Sequence, residues 1–378
     1  MQPPTPPQFG TCDRRFDRVR EAFWANFTER GELGAAVCVY AGATKVVDIW
    51  GGFFDTERSR PWAQDTITNV MSITKGSLAL TVHALVEEQK LDYDEPVASY
   101  WPEFAQAGKE RITVGQLVSH HAGLPYADLA PEGSFWDWDV MARALAAQQP
   151  EWPAGTQGAY HSCTYWHLLG ELVRRTTGES YRLTFARRFA TPLELDYVIG
   201  MNETDIGRVS PLVPNEKNDT FSSMANPQSN LARAWRVARG IGPNDARRAR
   251  SQAGGHTNAR SLARLYAALA NGGRLGDRVL LAGESVDRLR AEQWDQRCGL
   301  TGRAYRMAMG LFLNSGASVA LGPNRNAFGH HGAGGPVAFA DPDVGIAFSY
   351  TMNALCAGGG LGERCEALIE ATYRSLAS

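Results

Sequence analysis

The chain has 378 residues, 44 % hydrophobic and 21 % charged, the composition of a globular protein with ample material for a core. A formal charge of −2 excludes the strongly basic surface that nucleic acid or an anionic membrane would call for. The Pro-rich opening has no apolar stretch of signal-peptide length, no window approaches the roughly 18 apolar residues of a membrane span, and the scattered cysteines lack metal-ligand spacing, so a cytoplasmic protein with free thiols is expected.

Residues 13–30 place Phe16, Val19, Phe23 and Phe27 at helical spacing, which predicts an amphipathic helix. "GAAVCVY" (34–40) and "KVVDIWG" (45–51) are β-rich runs separated by "AGAT", the pattern of a hairpin. From Ser72 the pattern turns helical. Leu78, Leu80, Val82, Leu85 and Val86 cover most of the circumference, so this helix is expected to be buried on nearly all sides. Between about 95 and 255 the signals are mostly helical with many breakers, and residues 259–272 form a further helix stopped at Asn271-Gly272. Strand patterns return at 305–314, 336–340 and 345–353, with a turn at Asp341-Pro342, and an amphipathic helix follows from Leu361.

Strands at both ends with helices between them predict an α/β (α+β) fold. One mainly antiparallel sheet joins the two ends of the chain, and the first and last helices cover a face of it. Residues 1–80 together with 256–378 form this part. Residues 81–255 form an inserted, mostly helical domain, with the active site at the interface.

Three short stretches carry the chemistry. "NVMSITKGSLAL" sets Ser72 three residues before Lys75, so the two side chains share a helix face. A serine hydroxyl is a weak nucleophile that needs a base within hydrogen-bond reach, and a buried lysine with a lowered pKa can be that base where an arginine cannot. Of the five lysines (Lys45, Lys75, Lys90, Lys109, Lys217) only Lys75 has Ser or Thr three positions earlier. The bland alternative is a capping serine beside a solvated lysine. Tyr160-His161-Ser162 follows a Gly-rich turn, and a tyrosine beside an ammonium group can ionise or relay a proton. His330-His331-Gly332-Ala333-Gly334-Gly335 precedes an edge-like strand, its glycines allowing close backbone approach to a ligand. Adjacent histidines do not face one metal, so no metal or cofactor is expected.

In this order and at these separations the three stretches resemble the serine β-lactamase and penicillin-binding-protein superfamily, and within it the class C-like (family VIII) carboxylesterases. The resemblance implies a β-lactamase/transpeptidase-like fold with Ser72 as the acylated nucleophile and Lys75 as its partner. It makes Tyr160 the base or proton relay and Ser162 a polar contact to substrate. His330 then stands where β-lactamases carry the lysine of Lys-Thr-Gly, followed by Gly332, and the oxyanion hole is made by the N–H groups of Ser72 and Ala333. Ser162 replaces an asparagine that holds the antibiotic's amide, and His330 replaces the lysine that attracts its carboxylate. Both changes point to a neutral small-molecule ester or amide rather than a β-lactam.

No Gly-x-Ser-x-Gly occurs, which excludes an α/β-hydrolase, and no Gly-x-Gly-x-x-Gly follows a strand, which excludes a dinucleotide-binding oxidoreductase. An acyltransferase passing the acyl group to an alcohol or amine is the nearest rival to an esterase. A β-lactamase, a D-aminopeptidase or amidase, and an inactive binding protein follow it. Trp136, Trp138 and Trp152 either wall an apolar cleft near Tyr160 or pack the helical region.

Overall fold

The computed structural model describes residues 7–316 and 318–377. In chain order the strands are β1 (Gln8–Cys12), β2 (Gly34–Ala41), β3 (Thr44–Gly52), β4 (Thr68–Asn69), β5 (Tyr197–Ile199), β6 (Gly255–Thr257), β7 (Arg274–Leu275) and β8 (Arg278–Val279), then β9 (Trp294–Arg297), β10 (Ala304–Met307), β11 (Phe312–Leu313), β12 (Phe328–His331), β13 (Val337–Asp341) and β14 (Ile346–Met352). The α-helices are α1 (Asp17–Glu29), α2 (Ile73–Glu87), α3 (Val114–Val118), α4 (Trp138–Ala147), α5 (Tyr165–Thr177), α6 (Tyr181–Phe185) and α7 (Glu203–Ile206), then α8 (Asp219–Ala225), α9 (Asn230–Ala234), α10 (Ala246–Arg250), α11 (Ala259–Ala270), α12 (Gly283–Leu289) and α13 (Glu363–Leu376).

Nine strands form one sheet in the order β1-β3-β2-β14-β13-β12-β11-β10-β9, every neighbouring pair antiparallel. The period-2 alternation of β2 and β14 divides their side chains between two apolar layers. Val37, Val39, Phe348 and Tyr350 join Phe16, Val19 and Phe23 from the region of α1 and Leu368 and Ile369 of α13. On the other face small residues dominate: Ala36, Ala338, Ala340 and Ala347 lie in the layer that holds α11 and α2. Their size lets the helices approach closely. The terminal helices are also tied by polar groups, for Arg364 of α13 pairs with buried Glu32 at 2.7 Å and Asn26 Nδ2 donates to the Arg364 carbonyl.

One strand is added to the expected set, and two expectations need correction. Gln8–Cys12, following the Pro-rich opening, pairs with β3 and forms an edge of the sheet. Residues 305–314 are two strands, because the chain reverses at 308–311 where Gly310 takes φ +87°, and a Cβ there would lie 2.5 Å from the Ala79 Cβ. The strand after the glycine stretch is not an edge, since β13 sits inside the sheet, and His330 and His331 themselves form the end of β12. Helix α2 is buried on all sides from Ile73 to Leu85, as its sequence implies. Among the described residues no helix is long and apolar enough to cross a membrane, and the six cysteines are all free.

Candidate active site

Ser72 stands at the entrance of α2 in αR conformation, and its side chain makes no capping hydrogen bond, which removes the capping alternative. The residue before it, Met71, is held at φ +51°, a left-handed conformation that costs a non-glycine residue about 1–2 kcal/mol. Neighbouring groups impose that turn. Met71 N–H donates to Asn69 Oδ1 at 2.8 Å, Thr74 Oγ1 donates to the Met71 carbonyl at 2.9 Å, and the Gly255 amide of β6 donates to Thr74 Oγ1. The small sheet β4-β6-β5 therefore anchors the turn on which Ser72 sits.

One turn into α2, Lys75 Nζ lies 3.1 Å from Ser72 Oγ. Burial lowers the Lys75 pKa from 10.5 to about 7, and the Arg248 guanidinium pushes the same way. Near neutral pH a large fraction of Lys75 is then a free amine able to take the serine proton. The Trp166 ring face, 4.3 Å from Nζ, can stabilise the ammonium that results.

Tyr160 is fixed from several sides. Its N–H donates to Cys298 Sγ at 3.2 Å, and its ring packs against His120 and Phe312. His161 N–H donates to His120 Nδ1, while His161 Nε2 accepts the Leu124 amide, so the stretch around 119–124 braces this turn. Burial raises the Tyr160 phenol well above its usual range, with the Ser72 hydroxyl opposing the rise. Tyr160 therefore holds its proton at rest, which suits a relay better than a resting phenolate base. Its hydroxyl is buried facing the Ser72 hydroxyl and makes no well-formed hydrogen bond among the described residues. Ser162, two residues on, accepts the Trp235 indole N–H at 3.0 Å, leaving its own O–H free to donate.

The third stretch divides its two histidines. Period-2 alternation sends their side chains to opposite faces of β12. His331 lines the cavity, whereas His330, 1 % exposed, lies beneath it next to α2 and 6.0 Å from the Tyr160 ring. His330 Nδ1 donates to the His331 carbonyl at 2.7 Å, which makes Nε2 the unprotonated nitrogen, and Nε2 is buried without a partner. Burial holds His330 well below its usual pKa and His331 at about 4, so neither carries charge at neutral pH.

Gly332 packs tightly against the turn that carries Ser72, and a Cβ on it would lie 2.6 Å from the Val70 carbonyl oxygen. Its N–H donates to the Pro336 carbonyl, and the Gly334 carbonyl accepts from Cys356, fixing the loop on both sides of Ala333. Amides at the start of α2 are mostly used: Ile73, Thr74 and Lys75 donate to Val70, Met71 and Ser72. The N–H groups of Ser72 and Ala333 donate to no acceptor among the described residues, and both residues line the cavity. Two unused amides of this kind can receive a developing oxyanion.

The cavity measures about 430 Å³, and Ser72, Lys75, Tyr160, Ser162, Gly332 and Ala333 are among the residues that line it. Its aromatic residues are not the expected ones. Trp138 lies against Gly170 and donates to Glu171, Trp152 donates to the Gln157 carbonyl and packs on Gly299, and Trp136 stacks edge-on with Phe135. Trp136 and Trp138 pack the helical region, Trp152 packs between that region and the turn joining β9 to β10, and Trp166 and Trp235 line the cavity instead, with Phe221, Leu231 and Tyr305. Trp166 follows the Tyr160 stretch closely enough for proximity to have suggested it. Trp235 and Arg248 arrive from distant elements and give no local signal. Among the described residues no group of three His, Cys, Asp or Glu side chains is placed to hold a metal.

The β-lactamase family pattern matches residues 16–360 of the chain. The esterase/β-lactamase LipL of Mycobacterium tuberculosis is 33 % identical over 363 residues, spanning 92 % of this chain and 83 % of LipL. A crystal structure of a family VIII carboxylesterase superposes with a TM-score of 0.87 at 37 % identity, over 98 % of this chain and 100 % of the other. A penicillin-binding protein homologue from Caulobacter crescentus superposes with a TM-score of 0.89 at 36 % identity, with coverage of 98 % and 100 %.

Proposed function

The chain belongs to the β-lactamase family and is a serine hydrolase of that fold, and from this premise we propose that it is a carboxylesterase working through an acyl-enzyme on Ser72. The observation that carries the reading is Lys75 Nζ at 3.1 Å from Ser72 Oγ. Its pKa of about 7 supplies a base at neutral pH. The ester carbonyl oxygen enters between the N–H groups of Ser72 and Ala333. As Ser72 Oγ attacks the carbonyl carbon, its proton passes to Lys75. The proton then moves through the Tyr160 hydroxyl to the departing alkoxide, which leaves as the alcohol. Water enters the same position, loses a proton along the reverse route and releases the acid.

Ester rather than β-lactam turnover is favoured by the third stretch, where His330 and His331 are both neutral and supply no cation for an antibiotic carboxylate. Relatives named as esterases point the same way. Water is taken as the acyl acceptor. The test is to form the acyl-enzyme from a p-nitrophenyl ester and follow its decay by intact mass in water and with a panel of alcohols and amines. Rapid decay in water, indifferent to added nucleophiles, is expected. A long-lived adduct released by one acceptor class would make the protein an acyltransferase.

A further inference from the structure

Arg248 of α10 lines the cavity yet is only 8 % exposed, and its Nε is buried without a partner. No carboxylate pairs with its guanidinium among the described residues, for the nearby Asp245 is engaged by Arg247 at 2.8 Å. The guanidinium lies 5.8 Å from the Trp235 ring centroid, and that indole in turn donates to Ser162. The other titratable groups on the cavity wall do not compensate it. Arg303 is already paired with Asp219 at 3.1 Å, His331 is neutral, and Lys75 is at most another positive charge. A buried guanidinium to which no carboxylate is hydrogen-bonded is an unfavourable arrangement, the attraction of Asp245 acting only at a distance, and its planar fork matches a carboxylate in bidentate geometry.

We infer that Arg248 binds a carboxylate carried by the substrate, so that the preferred esters have a second, free carboxyl group, as in hemiesters of dicarboxylic acids. The inference rests on the carboxylesterase reading and deepens it. Neutral esters still reach Ser72, but without the contact that a carboxylate gains.

The test compares three esters: p-nitrophenyl butyrate, mono-p-nitrophenyl glutarate with its carboxylate on the acyl chain, and 4-carboxyphenyl butyrate with its carboxylate on the leaving group. For one of the two carboxylate esters, Arg248→Gln should lower kcat/KM relative to the neutral ester at least fivefold, and Arg248→Lys should lose less. Which ester responds tells the side on which the carboxylate sits. A role confined to tuning Lys75 would shift the pH profile of all three alike and leave the ratios unchanged, and ratios altered less than fivefold for both carboxylate esters would overturn the inference. Binding is read separately from catalysis in Ser72→Ala, where glutarate should give a saturable change in tryptophan fluorescence that Arg248→Gln or Arg248→Lys weakens at least fivefold. Failure of Ser72 as the nucleophile would leave this arm intact, whereas no saturable response, or one unaltered in both variants, would remove the carboxylate site. Circular dichroism confirms that each variant is folded.

Discussion

Lys75 Nζ and Ser72 Oγ lie 3.1 Å apart on one face of α2, at the point where Met71 turns the chain through a left-handed conformation. The helix fixes the relative position of the two side chains, and burial alters what the lysine can do. A solvated lysine would be an ammonium at neutral pH and useless as a base. Lys75, 1 % exposed, has its pKa lowered to about 7.

The first consequence is a pH dependence. If free Lys75 accepts the serine proton, kcat/KM for a neutral ester falls as pH drops through about 7 and levels off above it. Lys75→Arg should retain less than about a tenth of wild-type activity at every pH up to 9, because arginine stays protonated. A pH–rate profile of both proteins checks this.

The same lysine should weaken the fold. Its folded pKa near 7 lies below the ordinary 10.5, so between those values the unfolded chain binds more protons and stability rises with pH. Below pH 7 the penalty is fully present. Lys75→Met is therefore expected to be inactive yet more stable than the parent, by at least ~1 kcal/mol at pH 6, with the difference shrinking toward pH 10. Urea denaturation across that range measures it, and a variant less stable at pH 6 would count against the assigned ionisation.

Tyr160 separates chemistry from packing. Its hydroxyl is buried facing Ser72 and makes no well-formed hydrogen bond, so Tyr160→Phe removes no contact that holds the fold together. The expected outcome is a loss of roughly a hundredfold or more in kcat with unchanged thermal stability. Stopped-flow measurement of acylation and a melting curve supply the two readouts.

Gly332 sets the distance between the third stretch and the turn that carries Ser72. In Gly332→Ala the new methyl would lie 2.6 Å from the Val70 carbonyl oxygen and 2.9 Å from the Met71 Cβ, so the loop carrying Ala333 must move away. Displacing one oxyanion donor costs about 2.7–4 kcal/mol of the barrier in other hydrolases, so kcat should drop about a hundredfold while KM changes little.

His330 is a place where the structure changes the expectation. Lysine there would not read substrate charge, because the side chain lies below the cavity beside α2 rather than in its wall. His330→Lys should instead destabilise the protein by about 1–3 kcal/mol, as an uncompensated buried charge next to Lys75. Thermal denaturation distinguishes this from a gain of activity on carboxylate-bearing β-lactams.

The parts of this site readable in the sequence are those set by local geometry. Ser72 and Lys75 meet because a helix places i and i+3 together, and the hairpins at 34–52 and 337–352 follow from alternation and short turns. The face on which His330 or His331 lies is different, because it depends on the register of β12 against β13, which a four-residue strand does not declare. Trp235 is hidden because its place depends on tertiary packing. Sequence proximity favours Trp136, Trp138 and Trp152, whereas tertiary packing brings Trp235 to Ser162 across 73 positions. Arg248 lies in "DARRAR" (245–250), where nothing local separates it from its solvent-facing neighbours Arg247 and Arg250.

The central claim is that Ser72 carries the acyl group. Incubating the wild type and Ser72→Ala with a short-chain p-nitrophenyl ester, then reading intact mass and mapping the adduct by proteolysis, tests it most directly. The account predicts one acyl adduct on Ser72 in the parent, and neither adduct nor turnover in the alanine variant. An alanine variant that is labelled and turns over like the parent would contradict it.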